Sequence, residues 1–156
     1  MNRPYTTLLA ITAVSTLVVA ALVLMVPDHT GELRTDLEVG DYYILYSING
    51  KTDIRYQIAE IRDDGTLDVE VSSPDTDPKH YDFTPEQYLQ HIYLNDKSAV
   101  KDGNKRAMIE TAYGERMCSL YRLDFSDYWV DSHNIIFRSF VSGAGNELVE
   151  CSLIIQ

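Results

Sequence analysis

Imidazole and thiol groups titrate or ligate near neutral pH, so the four histidines and two cysteines are where chemistry is sought first. His29, His80, His91 and His133 fall in a linker, a loop, a helix and a turn, and none stands beside a nucleophile in the sequence. There is no GxSxG, HExxH, Walker A, GxGxxG or CxxC pattern. Asp75, Asp77, His80 and Asp82 form an oxygen-rich stretch of the kind that holds Ca²⁺, but no glycine stands where a tight calcium loop needs one. That stretch reads as a solvated loop punctuated by two prolines, and Asp124, Asp127 and Asp131 bracket another turn that reads the same way. The sequence therefore predicts no catalytic residue, no metal and no cofactor. A hydrolase would need His80 or His133 to meet two carboxylates or Cys118 in space.

Cys118 and Cys151 each alternate with apolar neighbours, Leu120 in one case and Val149 and Leu153 in the other, so both belong on apolar strand faces. Two readings stand: one disulfide, as an oxidising compartment favours, or two buried free thiols. In a plain meander their strands lie three apart, roughly 14 Å. A disulfide needs Cα atoms within about 7 Å, so the bond requires the sheet to curl.

The residues best suited to binding are aromatic and apolar. Asp41–Ile48 and Lys51–Ile61 flank Asn49-Gly50, a strong hairpin signal. A two-residue turn there pairs Leu45 with Ile54 and Tyr43 with Tyr56. One face of the ribbon is then Tyr43, Leu45, Ile54, Tyr56 and Ile58. The other carries Tyr42, Ile44, Tyr46 and Ile48, so the first strand is apolar on both sides. Either a helix covers this second face or it is an exposed contact patch. Tyr42, Ile44 and Tyr46, with Tyr88, Tyr93 and Trp129, are the candidate ligand-binding residues.

The positioning elements are mostly strands. Asp63-Asp64-Gly65 turns into Leu67, Val69 and Val71, which alternate with polar residues. Ser72–Asp82 reads as a loop. Thr84 and Gln87 form a capping box with Pro85 at the first helical position, and Tyr88, Leu89, Ile92 and Tyr93 make one stripe that should lie on the sheet. Asp96–Lys105 reads as a charged loop. Its basic residues, Lys97, Lys101 and Lys105, run on into Arg106. Strands follow at Arg106–Tyr113, Arg116–Asp124, Asp127–Asp131, Ile135–Ser142 and Glu147–Ile155, the first two joined by a turn at Gly114-Glu115. Hairpins joined by short turns make an antiparallel meander. The fold class is mainly β, with about eight strands and one packed helix spanning 41–156.

The chain has 156 residues and a net charge of −11. So acidic a domain is a poor partner for nucleic acid, which requires positive potential. Thr6 to Val26 carries no charge and, as a helix, spans roughly 31 Å, the thickness of the hydrocarbon layer. Residues 1–27 are expected to be a transmembrane anchor, with a cleaved signal peptide as the rival reading. Arg3 before the segment and Asp28, Glu32, Asp36, Glu38 and Asp41 after it place the N-terminus in the cytoplasm and the domain outside the cell membrane. Residues 28–40 read as an acidic linker.

The segment Gly114–Ser142, GERMCSLYRLDFSDYWVDSHNIIFRSFVS, and the run Val39–Tyr43, VGDYY, carry a resemblance. They resemble uncharacterised membrane-anchored extracytoplasmic β-domain proteins, many of them archaeal. They are also distantly similar to lipoprotein-carrier-like domains of the LolA/LppX type. The resemblance implies a strongly curved antiparallel sheet with a helix against its concave side, and an apolar concavity that holds acyl chains. The expected function is a membrane-tethered, non-enzymatic binding domain for an apolar ligand or an envelope partner. The alternative is a structural envelope protein acting only through protein contacts.

Overall fold

A computed structural model describes residues 31–155. The expected membrane segment and His29 lie outside the described residues. Nine strands form one antiparallel sheet: β1 (Tyr42–Ser47), β2 (Thr52–Ile61), β3 (Leu67–Ser73), β4 (Thr76–Phe83), β5 (Val100–Thr111), β6 (Gly114–Leu123), β7 (Ser126–Val130), β8 (Ile136–Val141) and β9 (Ala144–Cys151). The helix α1 (Pro85–Leu89) follows β4. The strand order is β4-β3-β2-β1-β9-β8-β7-β6-β5. Two meanders, β1–β4 and β5–β9, are thus joined edge to edge by the β1–β9 ladder.

The first hairpin has the expected register, with Tyr43 opposite Tyr56 and Leu45 opposite Ile54. Its turn differs from the expected two-residue form. The last paired residues are Ser47 and Thr52, and the positive φ falls at Lys51. The Asn49 side chain is used elsewhere: its Oδ1 accepts from Gly145 N at 2.9 Å and its Nδ2 donates to Gly143 O at 3.3 Å. This ties the β1–β2 tip to the β8–β9 tip. The latter is a two-residue turn with positive φ at both Ser142 and Gly143, which matches the right-handed strand twist.

Two expected loops are strands. Thr76–Phe83 is β4, an edge strand whose residues are almost all exposed. It has no apolar alternation, and the prolines conceal it: Pro74 stands in the turn, and Pro78 is tolerated on an edge. Its ladder to β3 is reinforced by His80 Nδ1 to Asp68 at 2.8 Å, while Arg62 pairs with Asp82 at 2.8 Å. β5 starts at Val100, inside the expected charged loop, with a bulge between Lys101 and Arg106. The β5–β6 turn is Ala112-Tyr113 rather than Gly114-Glu115, because Thr111 pairs with Gly114. Gly114 supplies the positive φ that follows the turn.

The helix caps as expected, with Thr84 and Gln87 bonding each other's backbone N–H groups. It ends earlier than its apolar stripe. Leu94 N donates to Asn134 O and Ile136 N to Ile92 O, which draws Ile92–Leu94 out into an isolated bridge beside β8. Tyr88 and Ile92 are fully buried. Their side of the sheet is that of Tyr43, Leu45, Ile58 and Val69, so the helix covers this face and not the one bearing Tyr42, Ile44 and Tyr46.

Residues 31–40, expected as a linker, are docked on the domain. Leu33 bridges Ile154, Arg34 N donates to Leu153 O, and Leu33 and Leu37 pack on the core. A side chain at Gly31 would place its Cβ 1.9 Å from Ile155 O, so only glycine fits this backbone approach. The node of this docking is buried Asp41. Its Oδ1 accepts from Arg34 Nη2 at 2.5 Å and from Ser152 Oγ at 3.2 Å, and its Oδ2 from Glu38 N at 2.7 Å. Asp41→Ala removes the acceptor shared by Arg34 Nη2, Glu38 N and Ser152 Oγ. It should cost about 2–3 kcal/mol, read as a lowered urea midpoint.

Candidate functional site

The sheet face under α1 holds an aromatic cluster at its centre. Tyr43 stacks on Tyr56 and leans against Tyr88, each with ring centroids 4.9 Å apart. The buried hydroxyls find backbone acceptors: Tyr88 Oη donates to Asp41 O at 3.1 Å, and Tyr43 Oη to Tyr88 O at 3.3 Å. Burial raises the pKa of both phenols, so both stay neutral. His91 adjoins this cluster, 5.6 Å from the Tyr56 ring and edge-on to Phe83. Its burial lowers its pKa, keeping the imidazole neutral.

Beyond the cluster, α1 and the segment running on to Lys97 stand off the sheet and leave a cleft of about 860 Å³. Its sheet side is Leu45 of β1, Asn146 of β9, Ser139 and Val141 of β8, Tyr128 of β7 and Leu123 of β6. The strand registers place these side chains on one face: Tyr128 is opposite Ser139, which is opposite Asn146. The other wall is Pro85, Leu89, His91, Tyr93 and Leu94, with Glu86, Asp96 and Lys97 at charged positions. The Asp96 carboxylate is held below its usual range by Ser98, whose N and Oγ bond it at 2.8 and 2.6 Å. An apolar space with a few polar groups is the usual form of a small-molecule site.

The candidate residues divide between two sides of the sheet. Tyr93 lines the cleft, and Tyr88 is fully buried core beside it. Tyr42, Ile44 and Tyr46 lie half-buried on the opposite face. Trp129 joins them there, because Trp129 is opposite Arg138, Arg138 opposite Glu147, and Glu147 opposite Tyr46. That face is laced with cross-strand pairs. Arg55 lies 3.7 Å above the Tyr42 ring, the Tyr42 hydroxyl donates to Glu150, and Arg138 meets Glu147 at 2.6 Å. The cleft's sheet residues were not singled out in the sequence. Their alternation was visible, but nothing local showed that β6–β9 would face the segment after α1.

His80 meets two carboxylates, Asp68 at 2.8 Å and Glu70 at 3.9 Å, on the exposed edge of the sheet and outside the cleft. Among the described residues no group of three His, Cys, Asp or Glu side chains is arranged to hold a metal ion. Cys118 and Cys151 are both free and buried. Desolvation pushes their pKa values up to about 12 and about 11. Searches against models of known protein families, curated proteins and solved structures give no match to this chain.

Two measurements follow from these burials. At pH 8 both thiols should resist a disulfide reagent in the folded protein and react together on unfolding, so rapid labelling of native protein would contradict their burial. Between the ordinary imidazole value and the lowered value of folded His91, the unfolded chain binds a proton that the folded one does not. Stability therefore rises with pH in that window and is lost as pH falls below about 6.5. His91→Phe should flatten this part of the urea-midpoint profile.

Proposed function

We propose that this protein is a membrane-tethered, extracytoplasmic, non-enzymatic domain that binds an apolar ligand in the cleft between the sheet and residues 85–97. The observation that carries the reading is the cleft itself: apolar space is left open directly beside a well-packed aromatic core. A filled interface would gain about 25 cal/mol per Å² of apolar surface buried, so open apolar space is a cost to the monomer that a ligand would recover. Leu45, Leu89, Tyr93, Leu94, Leu123 and Val141 would contact the apolar body. Ser139, Asn146 and Tyr128 would orient a polar end.

The sheet is curled rather than flat. Tyr113, in the β5–β6 turn, donates its hydroxyl to Cys151 O of β9 at 3.0 Å and accepts from Cys151 N. In a flat sheet β6 and β9 would stand roughly 14 Å apart. The uncharged run Thr6–Val26, with the acidic residues after it, supports the tether and the outward orientation. The face bearing Tyr42, Ile44 and Tyr46 suits the alternative, contact with an envelope protein, but Tyr42 is already engaged with Arg55 and Glu150, and Trp129, on the same side by register, packs against the core.

Native mass spectrometry of the full chain released from lipid nanodiscs tests the cleft. Wild type should carry an added mass that organic extraction removes. Val141→Trp, which fills the cleft from a partly exposed position, should carry at least fivefold less. Ile44→Asp with Tyr46→Asp should keep it. Equal adducts on wild type and Val141→Trp would place the lipid on the N-terminal segment and overturn the reading.

A further inference from the structure

The β5–β6 hairpin buries only one of its sides. Ile109 and Cys118 face the core, whereas Met108 and Met117, directly opposite each other on the other side, are each 54% exposed. The rows flanking this methionine pair are charged and polar. On the turn side Glu110 is opposite Glu115, and on the other Arg106 is opposite Ser119. All three charged residues are exposed. They take part in none of the ion pairs among the described residues. Like charges directly across a strand pair are destabilising, so Glu110 and Glu115 leave a repulsion that the single chain does not relieve. Exposed, flexible methionines are typical of surfaces that accept apolar side chains.

This order of rows, acidic then apolar then basic, is self-complementary. We propose that the outer side of the β5–β6 hairpin docks on the same surface of a second copy. The two-fold axis lies in the interface and runs along the Met108–Met117 row, at right angles to the strands. Such an axis reverses the row order across the interface. Each Arg106 then faces Glu110 of the other copy, each Glu115 faces Ser119, and the methionines meet at the axis as Met108 on Met108 and Met117 on Met117. The opposite choice of axis, along the strands, sets Glu110 against Glu115 of the other copy and is excluded by charge. Met117 alternates with Ser119 and Tyr121, and Tyr121 is opposite Tyr128, so this surface lies on the cleft's side of the sheet, but none of its residues lines the cleft and the association does not depend on a ligand there.

Cysteine cross-linking of the full chain in membranes tests this geometry. Both natural cysteines are buried, so an introduced thiol reports alone. Met108→Cys should oxidise to a dimer of twice the monomer mass, whereas Tyr81→Cys on β4, 48% exposed, should stay monomeric. In the Met108→Cys background, Arg106→Glu should cut the cross-linked fraction at least fivefold, and Arg106→Glu with Glu110→Arg should restore it. All these positions are exposed, so the changes spare the core. Absence of a Met108→Cys dimer would overturn the proposal. So would equal cross-linking of Tyr81→Cys, or failure of the charge swap to restore it.

Discussion

The pairing of β1 with β9 is the contact on which the rest of the structure depends. It joins residues about a hundred positions apart, Tyr43 with Cys151 and Leu45 with Leu148, and converts two separate meanders into one sheet. Each meander by itself would leave a long unpaired edge and half a core. Once joined, Tyr43 lies between Tyr56 on its own hairpin and Cys151 on the far meander, and α1 has a continuous surface to cover. The cleft also depends on this seam, since its floor runs from Leu45 of β1 across β9 and β8 to β7. So distant a pairing gives the fold a high contact order, and slow folding relative to a helical domain of this size is the physical consequence.

Several smaller devices hold the seam in register. Asn49 grips the backbone of the β8–β9 tip. Ser152 N donates to Tyr42 O at the other end, and Ser152 Oγ accepts from Tyr42 N at 2.9 Å. Gly145 is buried under the Phe140 ring and the Ile48 side chain, which close over a position where a Cβ would lie within 3 Å of both. Asp41 then fastens residues 31–40 and the C-terminal residues to the same end. The two free edges, β4 and β5, carry Pro78, lysines and a bulge, which discourage pairing with other strands. Self-association through a face is compatible with guarded edges, since the two use different groups of the same hairpin.

The buried side of the sheet is not the same for every strand: Tyr43 and Leu45 of β1 are core on the side of α1, whereas Cys118 and Leu120 of β6 are buried on the side of Trp129. β1 is the instructive case, with apolar residues on both faces. Tyr43 and Leu45 are core. Tyr42, Ile44 and Tyr46 are only half-buried, covered by the long side chains of Arg55 and by Glu150 and Glu147 rather than by another layer. Arginine stems cover apolar surface while keeping the charge in water, so an apolar outer face need not await a partner. The space on the helix side is different, because there the helix ends early and the following segment spans the sheet without filling beneath it.

Much of this was legible in the sequence because it is local. The hairpin register around Asn49-Gly50, the alternation of Leu67, Val69 and Val71, the capping box at Thr84 and the antiparallel class all follow from short-range sterics and hydrogen bonding. The tertiary structure alone decided the rest. β4 exists because β3 offers it a ladder, not because its own residues prefer a strand. The helix stops at Leu89 because Ile92–Leu94 gain backbone partners from residues 134–136. The Tyr42 face stays uncovered because the β1–β9 seam and the placement of α1 make Tyr43's side the interior. Tyr93, Tyr128 and Ser139 come together at one cleft only through registers across β1, β9, β8 and β7. A sequence specifies which side chains alternate, but which of two apolar faces becomes the inside is settled by long-range pairing, since both faces of β1 offer comparable apolar surface.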